Sequence, residues 1–279
     1  MKIFRSPKLL QNNNLKLKRD GKTIGFVPTM GYLHQGHISL IRAARRENDI
    51  VVLSIFVNPI QFLPKEDYKK YPRDFKRDST IARAENVDMI FYPTSEDLYP
   101  QGYSSYVEVG GLSSLLCGNS RPGHFKGVTT ICTKLFNIVQ PDSVYFGQKD
   151  AQQTIIIKRM IRDLNIPSKI RVLPLIREKD GLAMSSRNRY LSNIARGNAS
   201  DIYRSLKYAK EMFKDGEVDA SKVKYMVRKY IKKIPNVKVD YIEIVDSESL
   251  ASLNKIKKKS ILVVSIWIDK IRLIDNIVF

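Results

Sequence analysis

The side chains best suited to chemistry are two histidines, a lysine and a serine-arginine run. His34 and His37 stand in Val27-Pro28-Thr29-Met30-Gly31-Tyr32-Leu33-His34-Gln35-Gly36-His37. Spaced i, i+3 on the first turn of a helix, their imidazoles face the same way and can both donate to one phosphate. Gly31 and Gly36 let the backbone approach a ligand closely. Lys149 sits in Phe146-Gly147-Gln148-Lys149-Asp150, and Ser185, Ser186 and Arg187 in Asp180-Gly181-Leu182-Ala183-Met184-Ser185-Ser186-Arg187-Asn188. Two hydroxyls followed by a guanidinium can clamp phosphate oxygens, the arginine in bidentate fashion. Asn58 and Gln61 each offer both a donor and an acceptor to a polar ligand. Each group also has a plainer role open to it: histidines as helix caps or metal ligands, Asn58-Pro59 as a turn, Lys149 as a surface cation, Ser185-Ser186 as a cap. The metal role has little to build on, with three histidines, two cysteines (Cys117 and Cys132) and no Cys-x-x-Cys pair.

The elements around these residues make the phosphate reading physical. Thr23 to Val27 is short, apolar and partly β-branched, whereas Ile38, Leu40, Ile41 and Ala44 recur at helical spacing, so the histidines fall on a strand-to-helix turn. Such a turn aims unpaired backbone N–H groups and the positive end of a helix dipole at an anion. Further strands are predicted at Ile50 to Val57, Val87 to Tyr92, Val144 to Phe146 and Ser168 to Leu173. Helices are predicted at Asp74 to Ala84, Thr129 to Val139 and Gln152 to Leu164. The alternation predicts an α/β fold, a Rossmann-like doubly wound parallel sheet, over residues 1–176, with ligands at the carboxyl ends of its strands.

After Ile176 the pattern changes. Ser192 can cap a helix that places Ile202, Leu206, Ala209 and Phe213 on one face and ends at Gly216. A second helix follows with Val223, Met226 and Tyr230 at helical intervals. Val237 to Val245, Ile261 to Ile268 and Ile271 to Phe279 read as strands, the last two joined by a turn at Asp269-Lys270. Residues 177–279 are therefore expected to form a smaller C-terminal α+β domain with an antiparallel sheet, placed to close as a lid over a cleft.

Composition excludes several classes. A chain of 279 residues, 43% hydrophobic, can build real cores. Its two cysteines do not make a disulfide framework, which points to a reducing cytoplasm. Met1 to Asp20 is polar and basic, unlike a signal peptide, and no run approaches the roughly 18 apolar residues of a membrane span. The net charge of +20 suits anionic partners, yet the surplus is spread along the whole chain. No aromatic-interleaved basic stripe stands out, and Lys255 to Lys259 lies between two strands as a solvated turn, so nucleic acid is not expected as a partner.

The motifs together resemble one family. His-x-Gly-His paired with a later Met-Ser-Ser-Arg loop is similar to the nucleotidyltransferase superfamily, and the full set resembles its pantoate-beta-alanine ligase (pantothenate synthetase) members. The match runs through residues 28–37, 54–62, Tyr-Pro-Arg at 71–73, Ser-Arg-Pro-Gly-His-Phe-Lys-Gly-Val at 120–128, 134–142, 146–150 and 180–188, in the family's order and separations. The last 85 residues resemble the family only in length and layout. Gln148 stands where the family often has glutamate, and Lys126 where it often has arginine.

The resemblance implies ATP-dependent condensation of (R)-pantoate with β-alanine to pantothenate, AMP and pyrophosphate through an enzyme-bound pantoyl adenylate. It implies that Met30, Gly31, Tyr32, Leu33, His34, Gln35, Gly36 and His37 bind ATP, with His37 as proton donor. Gly147, Gln148, Lys149 and Asp150 match its nucleotide-binding segment, Ile176 meets adenine through its backbone, and Met184, Ser185, Ser186 and Arg187 match a phosphate-closing loop. The catalytic set is His34, His37, Lys149 and Arg187. Gln61 and Gln153 hold pantoate, with Asn58 beside them and Gln61 also near β-alanine. Mg²⁺ is expected with ATP, from ligands the sequence does not identify, and a homodimer is expected, with Tyr106 to Val109 near its interface. Two alternatives are an adenylate-forming or nucleotide-transferring enzyme with a changed acceptor, against which Gln61 and Gln153 argue, and a basic nucleic-acid-binding protein with a vestigial nucleotide fold, against which His34, His37, Lys149, Ser186 and Arg187 argue.

Overall fold

A computed structural model describes residues 1–64 and 66–279. Its elements in order are β1 (Lys2–Phe4), α1 (Pro7–Arg19), β2 (Ile24–Thr29), α2 (Gln35–Glu47), β3 (Ile50–Ile55), α3 (Phe75–Ala84), β4 (Met89–Phe91), α4 (Ser95–Leu98), α5 (Cys117–Ser120) and α6 (His124–Val139). Then come β5 (Ser143–Gly147), α7 (Ala151–Asp163), β6 (Lys169–Leu173), α8 (Asn193–Ala199), α9 (Asp201–Lys214), α10 (Ala220–Ile231), β7 (Val237–Val245), β8 (Ile261–Ile268) and β9 (Ile271–Val278). Six strands form one parallel sheet in the order β1-β4-β3-β2-β5-β6, and β7-β8-β9 form an antiparallel sheet.

Alternation along the parallel strands explains why helices cover both faces. Ile24 and Phe26 of β2, Val52 of β3 and Val144 and Phe146 of β5 pack with Leu10 of α1, Phe136 of α6 and Ile157 of α7. Val27, Val51, Leu53 and Tyr145 point the other way, onto Leu40, Ile41 and Ala44 of α2 and Ala82 of α3. Successive side chains of a strand face opposite sides, so both faces must be buried, and the strands read as continuous apolar runs. The antiparallel sheet is similarly two-sided. Leu262, Val264 and Ile266 pack on α9 and α10, while Val245, Ile261 and Val263 join the core of the first sheet.

The strand order places the site. β2 is flanked by β3 on one side and β5 on the other, so successive connections leave β2 and β5 in opposite directions. At such a switch point the two loops diverge and leave a crevice at the carboxyl ends of the strands. The histidine turn follows β2 and the Lys149 turn follows β5, so the two motifs meet over that crevice.

Three expectations are corrected. Residues 1–20 form an edge strand and a helix that sequence reading left unassigned; α1 buries only Leu10 and Asn14, too narrow a stripe to show clearly. The helix expected from Ser192 to Gly216 is two helices broken at Ser200, whose hydroxyl donates to the Gly197 carbonyl and competes with the helical ladder. In α10 the buried face is Ala220, Val223, Val227 and Ile231 rather than Met226 and Tyr230.

Candidate active site

The histidine turn is held from below. Thr29 Oγ1 accepts the Gly31 N–H at 3.1 Å and donates to the Ser54 carbonyl at 2.7 Å. The buried Asp78 carboxylate of α3 accepts the N–H groups of Tyr32 at 2.7 Å and Leu33 at 2.8 Å. His34 is the N-cap of α2, its Nδ1 accepting the Gly36 N–H at 3.1 Å, while His37 Nδ1 accepts the His34 N–H at 3.2 Å. This is a capping box built from two imidazoles.

The box fixes the chemistry of both rings. With Nδ1 accepting, a neutral imidazole carries its proton on Nε2, so each ring offers an Nε2–H donor. The ring centroids lie 4.0 Å apart. Burial, then the Lys149 charge, lowers His34 to about 4. Burial, His34 and Lys149 hold His37 well below the ordinary histidine value. Both rings are therefore neutral near pH 7 and act as hydrogen-bond donors rather than as resident cations.

The same geometry narrows the expected phosphate cradle. The amides of Gly31, Tyr32, Leu33, His34 and Gly36 are already committed, to Thr29, Asp78, His37 and His34. Gly31, with φ at 84°, serves the turn itself, and a Cβ at Gly36 would lie 2.9 Å from His34 Cε1. Both glycines are also required by the packing of protein groups around the turn. Met30, His34, Gly36 and His37 line the cavity, whereas Leu33 is core, Gln35 is exposed, and the Tyr32 ring lies under Arg77 and Arg189.

That cavity, of about 1370 Å³, runs between the carboxyl ends of the parallel strands and the β8-β9 end of the second sheet. Gly147, Lys149 and Asp150 line it from the 3₁₀ turn Gln148–Asp150, which precedes α7. The Lys149 ammonium lies 3.2 Å from Asp150. Gln148 instead turns its amide to Asn276 of β9, at 3.2 Å.

On the opposite wall, the turn Pro59–Gln61 presents Gln61. Asn58 is 1% exposed and its amide is committed: Nδ2 donates to Gln61 Oε1 at 3.0 Å and to the Gly127 carbonyl at 3.1 Å, and Oδ1 accepts from the Tyr99 hydroxyl at 2.8 Å. Asn58 therefore positions Gln61, where the sequence reading placed it against substrate. The two glutamines of α7 divide similarly. Both line the cavity, but Gln152 is buried and its amide is committed to the backbone of Leu112, Leu115 and Cys117, whereas Gln153 is half-buried and its amide bonds no group among the described residues.

Two cationic groups missed in the sequence also line the cavity. Arg121 forms a bidentate pair with Glu66 and lies 3.1 Å from His124 Nε2, whose Nδ1 meets the Gln61 carbonyl at 2.7 Å. Burial, then the Arg121 charge, lowers His124 to about 4. Arg272 is held by Asp240. Each arginine needs a partner distant in sequence, which local spacing does not encode.

The Met184 to Arg187 loop closes one side. The Ile176 carbonyl accepts the Met184 N–H at 3.0 Å, and Ser185 Oγ caps the short turn Ser186–Tyr190. Ser186 is buried, its hydroxyl 3.4 Å from the Tyr32 carbonyl. Arg187 is bidentate, but to Asp67, at 2.7 and 2.8 Å. That pair uses Nε and Nη2, so Nη1 is the part of the guanidinium left for a phosphate.

The comparisons with known proteins match this layout. The family model described as pantoate-beta-alanine ligase matches residues 2–278. The chain belongs to that family. It is 54% identical over 280 residues to a pantothenate synthetase of Sulfurihydrogenibium sp. (strain YO3AOP1), covering all of both chains. It is 54% identical to the pantothenate synthetase of Thermotoga petrophila, covering 99% of each. The crystal structure of pantothenate synthetase from Thermus thermophilus superposes with a TM-score of 0.94 at 42% identity and 99% coverage of each chain. The pantoate-beta-alanine ligase of Francisella tularensis, solved in complex with beta-gamma ATP and β-alanine, superposes at 0.82 with 35% identity, covering 100% of this chain and 97% of that one. The chain is accordingly an enzyme of the pantoate-beta-alanine ligase family, and its two-sheet architecture is that family's.

Proposed function

We propose that this ligase condenses (R)-pantoate with β-alanine, converting ATP to AMP and pyrophosphate through pantoyl adenylate. The observation that carries the reading is that one cavity is lined by two Nε2–H donors, His34 and His37, by Lys149 and by the amides of Gln61 and Gln153. Cationic and donor groups over the switch point suit a triphosphate, and paired amides suit a hydroxy acid.

In the first step a pantoate carboxylate oxygen attacks the α-phosphorus of ATP and the bond to pyrophosphate breaks. Two anions must be brought together, so the gain lies in positioning and in stabilising charge on the leaving group. His34, His37 and Lys149 do this, with Arg187 joining through Nη1, the part of its guanidinium that Asp67 does not hold. His37 acts through the Nε2–H that its Nδ1 bond to the His34 N–H leaves facing outward, the proton it can share with the phosphates. In the second step the β-alanine amine attacks the acyl carbon, AMP leaves and the amine loses a proton. Ile176 and Asp150 face the nucleoside, and Gln61 with Gln153 hold pantoate.

The described residues assemble no cluster of three or more His, Cys, Asp or Glu. Mg²⁺ would enter on the ATP phosphates, as suits a cation that keeps most of its water. Residues 1–176 bind the substrates and residues 177–279 cover them, excluding water from the adenylate. We take the enzyme to work in the cytoplasm as a homodimer, with the exposed Tyr106 near the interface; no helix among the described residues is long and apolar enough to cross a membrane.

The test is exchange of labelled pyrophosphate into ATP without β-alanine. Exchange that requires pantoate supports the adenylate; pantothenate formation with no such exchange counts against it.

A further inference from the structure

Asn276 lies near the chain terminus, in the last strand, yet it reaches the turn that carries Lys149. Its Nδ2 donates to the carbonyls of Gln148 at 2.9 Å and Lys149 at 3.1 Å, and its Oδ1 accepts from Gln148 Nε2 at 3.2 Å. Asn276 is 4% exposed, so all three bonds are made away from bulk water. Asn276 is itself anchored: its N–H donates to Asp275 Oδ1, and Asp275 is paired bidentately with Arg177. Arg177 in turn packs over the Tyr203 ring and donates to the Gly181 carbonyl.

We infer that Asn276 is the positioning residue for Lys149, fixing through two backbone carbonyls the turn from which the ammonium reaches into the cavity. The turn needs an external hold. Asp150, with φ −96° and ψ 54°, departs from helical backbone between the turn and α7, and it is the N-cap of α7 without a side-chain capping bond. Lys149 therefore lacks a continuous helix behind it, and a lysine side chain has several rotors through which a small backbone shift grows at its tip. The clamp also makes the second sheet part of the ATP site, since the strand supplying it packs in the C-terminal core.

The inference rests on the proposed role of Lys149 at the ATP phosphates, and the test separates the two. ATP and pantoate parameters and the melting temperature are measured for Asn276→Asp, Asn276→Ala, Lys149→Ala and the Asn276→Ala/Lys149→Ala double variant. Asn276→Asp is nearly isosteric but turns an oxygen toward two carbonyls; Asn276→Ala removes the donor without adding charge beside Asp275. The expected result for whichever folds is a KM for ATP raised on the order of tenfold, a KM for pantoate within about twofold, and a double variant no worse than Lys149→Ala alone. An unchanged KM for ATP in the folded Asn276 variants, or losses that multiply in the double variant, would overturn the inference while leaving Lys149 in place. Unchanged ATP binding in Lys149→Ala would instead overturn the underlying reading of the lysine.

Discussion

The imidazoles of His34 and His37 stack 4.0 Å apart, each with Nδ1 turned back onto a main-chain N–H, so that both Nε2–H groups are left as donors. A pair of neutral donors beside Lys149 is a preorganised anion site that does not carry the cost of burying two further charges.

Removing either donor or the lysine should disable the site without unfolding the chain. His37→Ala and Lys149→Ala are each expected to lower kcat/KM for ATP by about 100-fold or more, with circular dichroism unchanged and melting temperatures near that of the parent. Near-normal rates in both variants would remove these residues from the site.

The neutral histidines also predict how stability varies with pH. All three histidines of the chain are held below their ordinary value, His34 and His124 at about 4. The unfolded chain therefore binds more protons between about pH 4 and 6.5, and the histidine contribution to stability is full above 6.5 and is lost as pH falls toward 4. Asp78 and Asp275, raised by burial, act in the opposite sense, so the histidine part is best read as a difference. Replacing His34 by asparagine, which can still cap α2, should reduce the slope of unfolding free energy by about 1.4 kcal/mol per pH unit in that window. Urea unfolding across the range checks this, and parallel profiles would contradict it.

Asp78 holds the histidine turn through two amides. Asp78→Asn leaves one oxygen for two N–H groups and directs an amide N–H toward the other, so a loss of about 2 kcal/mol in unfolding free energy is expected. Turnover should fall with it, because the imidazoles shift with the turn. Unchanged stability and rate would show that the turn holds itself.

Asn58 should act through Gln61. With the committed amide removed in Asn58→Ala, KM for pantoate should rise about tenfold, and KM for ATP should stay within about twofold. An equal rise in both would mean that Asn58 supports the whole site rather than one substrate.

What sequence could and could not reveal follows from range. The turn from Met30 to His37 was legible because a strand, a glycine turn and an amphipathic helix follow one another within about twenty residues, each with its own period. The parallel sheet apart from its edge strand β1, and the three C-terminal strands, were legible for the same reason. The partners of that turn were not: Asp78 lies 45 positions from Leu33, so amides that look free in sequence are occupied in space. Arg187 and Asp67, 120 positions apart, show the same limit, as do Asn276 and Gln148 at 128. Gln152 and Gln153 are chemically equal in sequence, and only the orientation of α7 decides which one is buried.

The most direct measurement is parallel quantification of AMP and pantothenate from ATP, Mg²⁺, (R)-pantoate and β-alanine, with each substrate omitted in turn. The predicted result is AMP and pantothenate in equal amounts, with pantothenate absent when any substrate is left out. Release of AMP with a different acid, or no turnover when all are present, would contradict the assignment.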